Sequence, residues 1–168
     1  MSKIAVIGTG YVGLTTSIGL ASLGHQVIGY DLDPAKVEML QAGKLPIHEP
    51  GLGEILTAGI KSGNLQITSV LSEAVSEADF VFTCVPTPQD EDGSADLSYV
   101  IAASQAMKGL LKPGAVVVTK STVPVGSAQR VEAAIGRDDI HVASNPEFLR
   151  EGAAVHDFEH PDRIVVGA

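Results

Sequence analysis

Residues 3–31 read KIAVIGTGYVGLTTSIGLASLGHQVIGYD and contain two short apolar runs separated by a glycine-rich turn and a longer amphipathic stretch. The β-branched run at residues 3–7 predicts a strand, and apolar residues recur at helical spacing through residues 11–23. Gly24 occupies the position of a helix C-terminal glycine, and residues 26–30 predict a second strand. This part of the chain therefore predicts a strand–turn–helix–strand unit.

The turn of this unit has the sequence GTGYVG at residues 8–13, directly after the first strand and at the start of the helix. Gly8 permits a tight turn, Gly10 allows the backbone to approach a pyrophosphate, and Gly13 allows the helix to pack closely on the strand. Free N–H groups at the helix start attract phosphate oxygens. The alternative is a glycine turn that serves packing alone. We expect a dinucleotide at the turn, with contacts from Gly8, Gly10, Tyr11, Val12 and Gly13.

Asp31 ends the second strand, 18 residues after Gly13, at the position where a carboxylate binds the adenosine ribose of a dinucleotide. A negative charge there repels a 2′-phosphate, so the sequence favours NAD over NADP as the cofactor. A flavin dinucleotide is less favoured, because the segment leads directly into further strand–helix repeats. If the turn served packing alone, Asp31 would be a residue at the entry of the next helix.

Strands and helices continue to alternate along the rest of the chain. Further strands are predicted at residues 65–68, 80–85, 115–119, 140–143 and 163–167. Further helices are predicted at residues 33–42, 52–62, 72–76, 100–110 and 127–135, with an acidic loop at residues 90–96. Strands separated by helices form right-handed βαβ units. The chain thus predicts a single domain, residues 1–168, with an α/β fold: a Rossmann-type, doubly wound, mainly parallel sheet with helices on both faces.

Charge and composition exclude several classes of protein. The chain has 168 residues, with 11 Lys and Arg against 20 Asp and Glu, and its net charge of −9 argues against nucleic-acid binding. A hydrophobic content of 45% excludes general disorder, and no apolar run approaches the ~20 residues of a membrane span. We therefore expect a cytoplasmic protein that binds neither nucleic acid nor membranes.

Cysteine and histidine are too sparse for a disulfide or a metal site. Cys84 is the single cysteine, which fits a reducing compartment, and it falls within an apolar predicted strand, where a small core residue is expected. The five histidines lack the spacing of metal ligands, although His156 and His160 are four residues apart. The sequence therefore predicts no metal site.

Polar and proline-rich segments follow the fourth and fifth predicted strands, at the edge where open α/β sheets bind ligands. Residues 85–88 contain Thr87, and residues 120–126 contain Thr122. Both hydroxyls could face a ligand in the crevice, and the capping of a local turn is an equally good explanation for each.

The segment after the sixth strand, residues 144–152, contains two carboxylates and an arginine. Glu147 and Glu151 are four residues apart, so a helical turn would place both on one face. There they could share a proton or position a water, although such a pair on a surface helix is more often only solvated. Arg150 and Arg163 are candidates for an anionic substrate group, or for surface salt bridges.

Seven dispersed segments resemble the UDP-glucose/GDP-mannose dehydrogenase family, and together they extend over nearly the whole chain. They are GTGYVGL (8–14), LPIHEPGL (45–52), VPTP (85–88), DGSADLSYV (92–100), STVPVG (121–126), NPEFLREG (145–152) and DFEHPDRIVVG (157–167). The resemblance implies oxidation of a sugar C6 alcohol to a carboxylate, with two NAD per turnover. It favours UDP-glucose over GDP-mannose or UDP-N-acetylmannosamine as the substrate, and UDP-glucuronate for polysaccharide biosynthesis as the product.

The resemblance also implies roles for individual residues. The adenosine ribose would be held by Asp31 and Lys36. The cofactor and active sites would also be lined by Thr87, Thr122 and Glu151, with Glu151 near the nicotinamide. The catalytic residues on this chain would be Thr122, Glu147 and Glu151, and Glu147 would serve in acid–base chemistry during thioester hydrolysis. The nucleotide sugar would contact Glu147 and the backbone of Phe148, Leu149 and Arg150.

The chain departs from the family pattern in its length and its cysteine. Members of the family are longer, and their nucleophilic cysteine lies in a later substrate domain. Cys84 does not match that cysteine. We therefore expect an NAD-binding half that lacks the substrate domain and is inactive by itself. The resemblance also implies that the contacts of a family homo-oligomer would lie largely outside residues 1–168. One rival is a stand-alone module that binds or senses NAD without turnover. Another rival is a 3-hydroxyacid-type dehydrogenase. That type requires a catalytic Lys/Asn or His after the sixth strand, and the segment NPEFLREG does not supply this arrangement.

Overall fold

The computed structural model describes residues 1–90 and 93–168, which form a six-stranded sheet and seven helices. The strands are β1 (Lys3–Ile7), β2 (Gln26–Tyr30), β3 (Leu65–Thr68), β4 (Phe80–Thr83), β5 (Val116–Thr119) and β6 (His141–Ser144). The helices are α1 (Tyr11–Ser22), α2 (Pro34–Gln41), α3 (Leu52–Ser62), α4 (Leu71–Val75), α5 (Ser98–Met107), α6 (Ser127–Ile135) and α7 (Ala154–Glu159). Glu91 and Asp92 lie outside the described residues, and with them part of the predicted acidic loop and the first residue of DGSADLSYV.

The strands of the sheet are parallel and follow the order β3-β2-β1-β4-β5-β6. The chain starts at the centre with β1, builds one half of the sheet as far as β3, and then crosses to β4 to build the other half. The direction of winding reverses between β1 and β4, and loops that diverge at such a switch point leave a crevice at the carboxyl ends of the strands. The predicted α/β, Rossmann-type, doubly wound sheet is confirmed.

Helices cover both faces of the sheet, so the central strands are buried on two sides. In β1, Ala5 and Ile7 belong to a cluster of buried side chains that includes residues of α4, α5 and α6. Ile4 and Val6 belong to a second cluster, which includes residues of α1, α2 and α3. Successive side chains of a strand point to opposite faces, so burial of both faces requires the continuous apolar run seen at residues 3–7.

The start of α2 follows the local signal in the sequence. The Oδ1 atom of Asp33 accepts hydrogen bonds from the backbone N–H groups of Ala35, at 2.9 Å, and Lys36, at 3.3 Å. Pro34 is the first residue of the helix, where its missing N–H leaves nothing unsatisfied. The cap fixes α2 directly after β2, and it thereby places Lys36 beside the carboxyl end of that strand.

The strand predicted at residues 163–167 is wrong. Among the described residues of this segment, Gly167 alone pairs, through an antiparallel bridge to Ser144 at the end of β6. Ile164 and Val166 are 73% and 66% exposed. β-Branched residues favour strands because they pack well on a half-buried sheet face, and these side chains have no such face to pack on.

Helix α7 is an element that the sequence pattern did not predict. No side chain near the start of the helix caps it. The N–H of Ala154 instead donates to Oε1 of Glu49, at 2.8 Å, from a position 105 residues earlier in the chain. A helix start that depends on a remote acceptor leaves no mark in the neighbouring sequence, because the familiar signal is a local capping residue.

Candidate functional site

A cavity of about 750 Å³, the first cavity, opens beyond the carboxyl ends of the strands at the switch point between β1 and β4. Its volume is typical of small-molecule sites, which span roughly 300–1,000 Å³. The predicted site residues that line it are Gly8, Gly10, Tyr11, Val12, Asp31, Lys36, Thr87, Thr122 and Glu147. The structure therefore brings most of the predicted cofactor residues into one space.

A second cavity, of about 510 Å³, adjoins the first at Lys120 and Glu147, which line both. The predicted substrate residues that line the second cavity are Phe148, Leu149 and Arg150. Gly13 and Glu151 line neither cavity. Gly13 is buried in α1, where it serves packing, and Glu151 is exposed to solvent.

The glycine turn has no room for side chains at two of its three glycines. A Cβ on Gly8, where φ is +92°, would lie 2.9 Å from the carbonyl oxygen of Cys84, and a Cβ on Gly13 would lie 1.8 Å from the carbonyl oxygen of Gly8. A Cβ on Gly10 would meet no atom within 4 Å, so the backbone there is open to the cavity. Helix α1 begins after Gly10 with no side-chain cap for its first N–H groups. These features fit a dinucleotide pyrophosphate.

Asp31 directly follows β2, is only 9% exposed and accepts four hydrogen bonds. Its Oδ2 accepts from the N–H and hydroxyl of Thr9, at 2.9 and 2.6 Å, and from Nζ of Lys36, at 2.9 Å. Its Oδ1 accepts from the N–H of Asp33, at 3.1 Å. Burial alone would raise the pKa of Asp31, but the hydrogen bonds outweigh it and hold the pKa below the ordinary value. The carboxylate is therefore charged at neutral pH, and Oδ1 has a lone pair left for a ribose hydroxyl.

Thr9 is a site residue that the sequence analysis missed. It lies between Gly8 and Gly10, is fully buried, and donates both its N–H and its hydroxyl to Asp31. These bonds join the glycine turn directly to the end of β2. A short hydroxyl residue within the turn, facing a carboxylate at the end of the next strand, is the signal that could have identified it.

Thr87 and Thr122 meet across the loops that follow β4 and β5. The hydroxyl of Thr87 donates to the carbonyl oxygen of Thr122 at 3.2 Å, and the hydroxyl of Ser121 donates to the carbonyl oxygen of Val85 at 2.7 Å. The Thr87 hydroxyl thus joins two loops instead of capping its own turn, and its contact with a cofactor stays a prediction. Thr122 is exposed and lines the first cavity, so its side chain is accessible to a ligand.

Lys120 is a second residue that the sequence analysis left without a role, because a lysine after an apolar strand looks like an ordinary turn residue. It follows β5, is half-buried, and donates from Nζ to Oδ1 of Asn145 at 3.1 Å. Burial lowers the pKa of Lys120, and the negative charge of Glu147 acts in the opposite direction. The structure therefore places the Lys120 side chain at the junction of the two cavities.

The helical turn expected to pair Glu147 with Glu151 is absent. Residues 145–150 are not helical, since Pro146 disfavours helical geometry at Asn145 and Oε2 of Glu147 accepts a hydrogen bond from the N–H of Leu149 at 2.5 Å. Glu147 lines both cavities, whereas Glu151 lines neither. The two carboxylates therefore have no common helical face, and the roles implied for each stay predictions.

The two arginines considered for an anionic substrate group both have partners within the protein. The guanidinium of Arg150 pairs with the carboxylate of Asp157, at 2.6 and 3.0 Å, on the surface. The guanidinium carbon of Arg163 lies 4.3 Å from the centre of the Phe148 ring, in a cation–π contact. For Arg150, the structure supports the alternative of a surface salt bridge.

Cys84 lies beneath the glycine turn, and burial raises the pKa of its thiol to about 12, as expected of a core residue. Within residues 1–90 and 93–168, no three or more His, Cys, Asp or Glu side chains are grouped to hold a metal ion. None of the helices in this described part combines the length and apolar character needed to cross a membrane.

Curated relatives match nearly the whole chain. The chain shares 49% identity over 170 residues with the UDP-glucose 6-dehydrogenase of Rhizobium meliloti, covering 98% of this chain and 39% of the relative. It shares 45% identity over 174 residues with the UDP-glucose 6-dehydrogenase of Pseudomonas aeruginosa, covering 99% of this chain and 38% of the relative. The chain therefore spans about two fifths of the length of these relatives.

Solved structures also match nearly the whole chain. The UDP-glucose dehydrogenase of the hyperthermophilic archaeon Pyrobaculum islandicum superposes with a TM-score of 0.92 at 46% identity, covering 99% of this chain and 40% of that one. The GDP-mannose dehydrogenase of Pseudomonas aeruginosa superposes with a TM-score of 0.89 at 35% identity, covering 98% of this chain and 40% of that one. The NAD binding domain of one family matches residues 2–168. The chain therefore belongs to the UDP-glucose/GDP-mannose dehydrogenase family, of which it contains the NAD binding domain.

Proposed function

We propose that the first cavity binds NAD with the adenosine ribose at Asp31 and Lys36 and the pyrophosphate at the start of α1. The observation that carries this proposal is that the open backbone at Gly10 and the charged carboxylate of Asp31 line one cavity at the switch point. The far end of the cavity is lined by Thr122 and Glu147, so this end is assigned to the nicotinamide. NAD, when bound, supplies a hydride acceptor there.

Residues 1–168 are proposed to form one cofactor-binding domain of a cytoplasmic enzyme that oxidises a nucleotide sugar. The sugar is assigned to the second cavity, because that cavity meets the nicotinamide end of the first at Lys120 and Glu147. UDP-glucose is favoured, since identity is 45–49% with the two UDP-glucose 6-dehydrogenases and 35% with the GDP-mannose dehydrogenase. The residues assigned to the sugar are Glu147, Phe148, Leu149 and Arg150.

Cys84 is not assigned the thiol chemistry that the family resemblance implies. A thiohemiacetal or thioester forms on a thiolate that can reach the substrate, and the Cys84 thiol is buried with a pKa raised to about 12. We therefore infer that residues 1–168 bind NAD without oxidising a nucleotide sugar by themselves.

Calorimetric titration of NAD and NADP into the wild type and Asp31→Ala tests the cofactor assignment. We expect NAD to bind the wild type, and Asp31→Ala to weaken NAD about ten- to hundredfold, because the ribose hydroxyls lose a charged acceptor. We also expect the preference for NAD over NADP to narrow, because the negative charge that repels a 2′-phosphate is gone.

The matched control is Asp138→Ala, which removes the same charge from an exposed turn before β6, at the opposite edge of the sheet. This variant should bind NAD like the wild type. Circular dichroism checks the fold of Asp31→Ala, because Asp31 also holds Thr9. Equal NAD affinity and an equal NAD-to-NADP ratio in a folded Asp31→Ala protein would refute the ribose assignment.

A further inference from the structure

A buried carboxylate lies between the glycine turn and the segment that walls the second cavity. Glu49 belongs to LPIHEPGL, in the connection between α2 and α3, and it is 5% exposed. Its Oε2 accepts hydrogen bonds from the hydroxyl of Tyr11, at 2.7 Å, and the N–H of Gly152, at 2.8 Å. Its Oε1 accepts from the N–H of Ala154, at 2.8 Å. One side chain therefore contacts elements far apart in the sequence.

The charge on Glu49 is maintained by its three donors. Burial alone would raise the pKa of Glu49, but the bonds from Tyr11, Gly152 and Ala154 outweigh it and leave the pKa below the ordinary value. Burial and the neighbouring carboxylate raise the pKa of Tyr11, so its hydroxyl keeps the proton that it donates. A buried ionised carboxylate is costly unless it is hydrogen-bonded, so each of the three bonds offsets part of the cost of burying this charge.

Tyr11 connects this carboxylate to both cavities. It is the first residue of α1 and lines the first cavity beside Gly10, where the pyrophosphate is assigned. Its hydroxyl also lies 3.0 Å from the carbonyl oxygen of Arg150, and Arg150 lines the second cavity. The Tyr11 side chain therefore spans from the cofactor turn to the backbone of the predicted substrate segment.

We propose that Glu49 is a positioning residue that couples dinucleotide binding at the glycine turn to the arrangement of residues 149–154, which include part of the wall of the second cavity. The inference rests on the proposed function, since it requires NAD at the turn. The structure shows residues 149–154 held on Glu49, and the coupling requires a second arrangement in which they are released to solvent. A dinucleotide that orders the start of α1 fixes Tyr11, and Tyr11 and Glu49 together favour the held arrangement. Because coupling is reciprocal, the held arrangement in turn favours NAD.

Amide hydrogen exchange of residues 149–154, measured with and without NAD, tests the coupling in the wild type, Glu49→Gln and Tyr11→Phe. In the wild type, we expect NAD to slow the exchange of the Gly152 and Ala154 amides by about fivefold or more. In Glu49→Gln this response should disappear, and NAD should bind more weakly by a similar factor although Glu49 does not line the cavity. A role in stability alone would speed exchange in that variant without removing the response to NAD.

Tyr11→Phe removes only the hydroxyl and keeps the two backbone bonds to Glu49. This variant therefore tests the coupling between NAD binding and residues 149–154 even if Glu49→Gln fails to fold. It should retain protection of Gly152 and Ala154 without NAD and lose the further protection that NAD adds. Glu132→Gln is the matched control, because it makes the same charge change on an exposed position of α6.

Two outcomes separate this inference from the proposed function. If calorimetry shows that NAD does not bind the wild type, the proposed function fails and the coupling fails with it. If NAD binds but leaves the exchange of Gly152 and Ala154 unchanged, or if Tyr11→Phe responds to NAD like the wild type, the cofactor site stands and the coupling is overturned.

Discussion

The Cys84 thiol lies directly under the glycine turn, and its surroundings decide its chemistry. A Cβ on Gly13 would lie 3.0 Å from the Cβ of Cys84, and a Cβ on Gly8 would lie 2.9 Å from its carbonyl oxygen. The residue is 8% exposed, and burial raises its pKa to about 12. At neutral pH the thiol is protonated and packed against the turn, so it is a poor nucleophile.

A thiol reagent should therefore react with Cys84 only when the protein unfolds. At pH 8 we expect the folded protein to react at least roughly a hundredfold more slowly than the unfolded protein in guanidinium, because the ordinary thiol pKa of ~8.5 returns on unfolding. The reagent is an aromatic disulfide, and the absorbance of the aromatic thiol that it releases on reaction measures both rates. The unfolded sample is the control. Rapid, complete labelling of the folded protein would show that the thiol is accessible.

The sequence predicted the residues whose roles depend on backbone conformation or on a fixed motif position. Gly8, Gly13 and Asp31 belong to this group, since a turn, a close contact and a strand end all show in local sequence. Thr9 and Glu49 do not, because their roles depend on which distant atoms face them once the chain folds. A buried threonine hydroxyl and a buried glutamate are each explained only by the partner that satisfies them.

The glycine turn shows that residues of one type within a single element meet different constraints. Gly13 is required by contact within the protein, because its Cβ would lie 1.8 Å from the carbonyl oxygen of Gly8. Gly10 meets no such contact, since a Cβ there would have open space around it. The fold therefore needs Gly13 and tolerates a side chain at Gly10, while a ligand that occupies the open space needs Gly10.

The variants Gly10→Ala and Gly13→Ala should separate folding from binding. We expect Gly10→Ala to unfold in urea like the wild type but to bind NAD at least about tenfold more weakly, because the methyl group occupies space assigned to the pyrophosphate. Gly13→Ala should lose about 1–3 kcal/mol of stability, because backbone atoms must move apart. Urea denaturation and calorimetry measure the two effects, and each variant is the control for the other. Unchanged NAD binding by Gly10→Ala would refute the assignment of the pyrophosphate to the glycine turn.

Elements were predictable where the signal was local. The six strands of the sheet and the cap of α2 follow from apolar runs and from the Asp33-Pro34 pair. Helix α7 was missed because its first N–H is bonded to Glu49, and the strand at residues 163–167 was wrong because its β-branched side chains find no sheet face. Propensity alone does not reveal whether a distant surface is available.

At the scale of the whole molecule, two effects of acid oppose each other. At a net charge of −9, the excess negative side chains repel one another. Protonation of surface carboxylates therefore relieves this repulsion in the folded state. Other carboxylates have folded-state pKa values below the ordinary range, and these include Asp31, Glu49, Asp79 and Asp157. The main cause is the bond from Lys112 for Asp79 and the bond from Arg150 for Asp157, whereas at Asp31 and Glu49 hydrogen bonds outweigh burial.

These lowered pKa values fix the direction of their effect on stability. The unfolded chain binds protons at the ordinary carboxyl pKa of about 4, while the folded protein resists protonation of the same groups to lower pH. The unfolded state thus binds more protons as the pH falls, so the stabilisation is complete above the unfolded pKa and is lost as the pH falls towards the folded values. Repulsion among exposed charges is screened beyond roughly 8 Å at 0.15 M salt, so it is the weaker effect.

The free energy of unfolding in urea at 0.15 M salt should therefore be nearly constant between about pH 6 and 8 and should fall steadily below about pH 5. Glu49→Gln should be less stable at pH 7 and should decline less steeply with acid, because one of the groups that couple folding to protonation is gone. Asp138→Asn is the control, since Asp138 is exposed and the variant should follow the wild-type profile. A rise in stability from pH 7 to pH 4 would show instead that self-repulsion outweighs the hydrogen-bonded carboxylates.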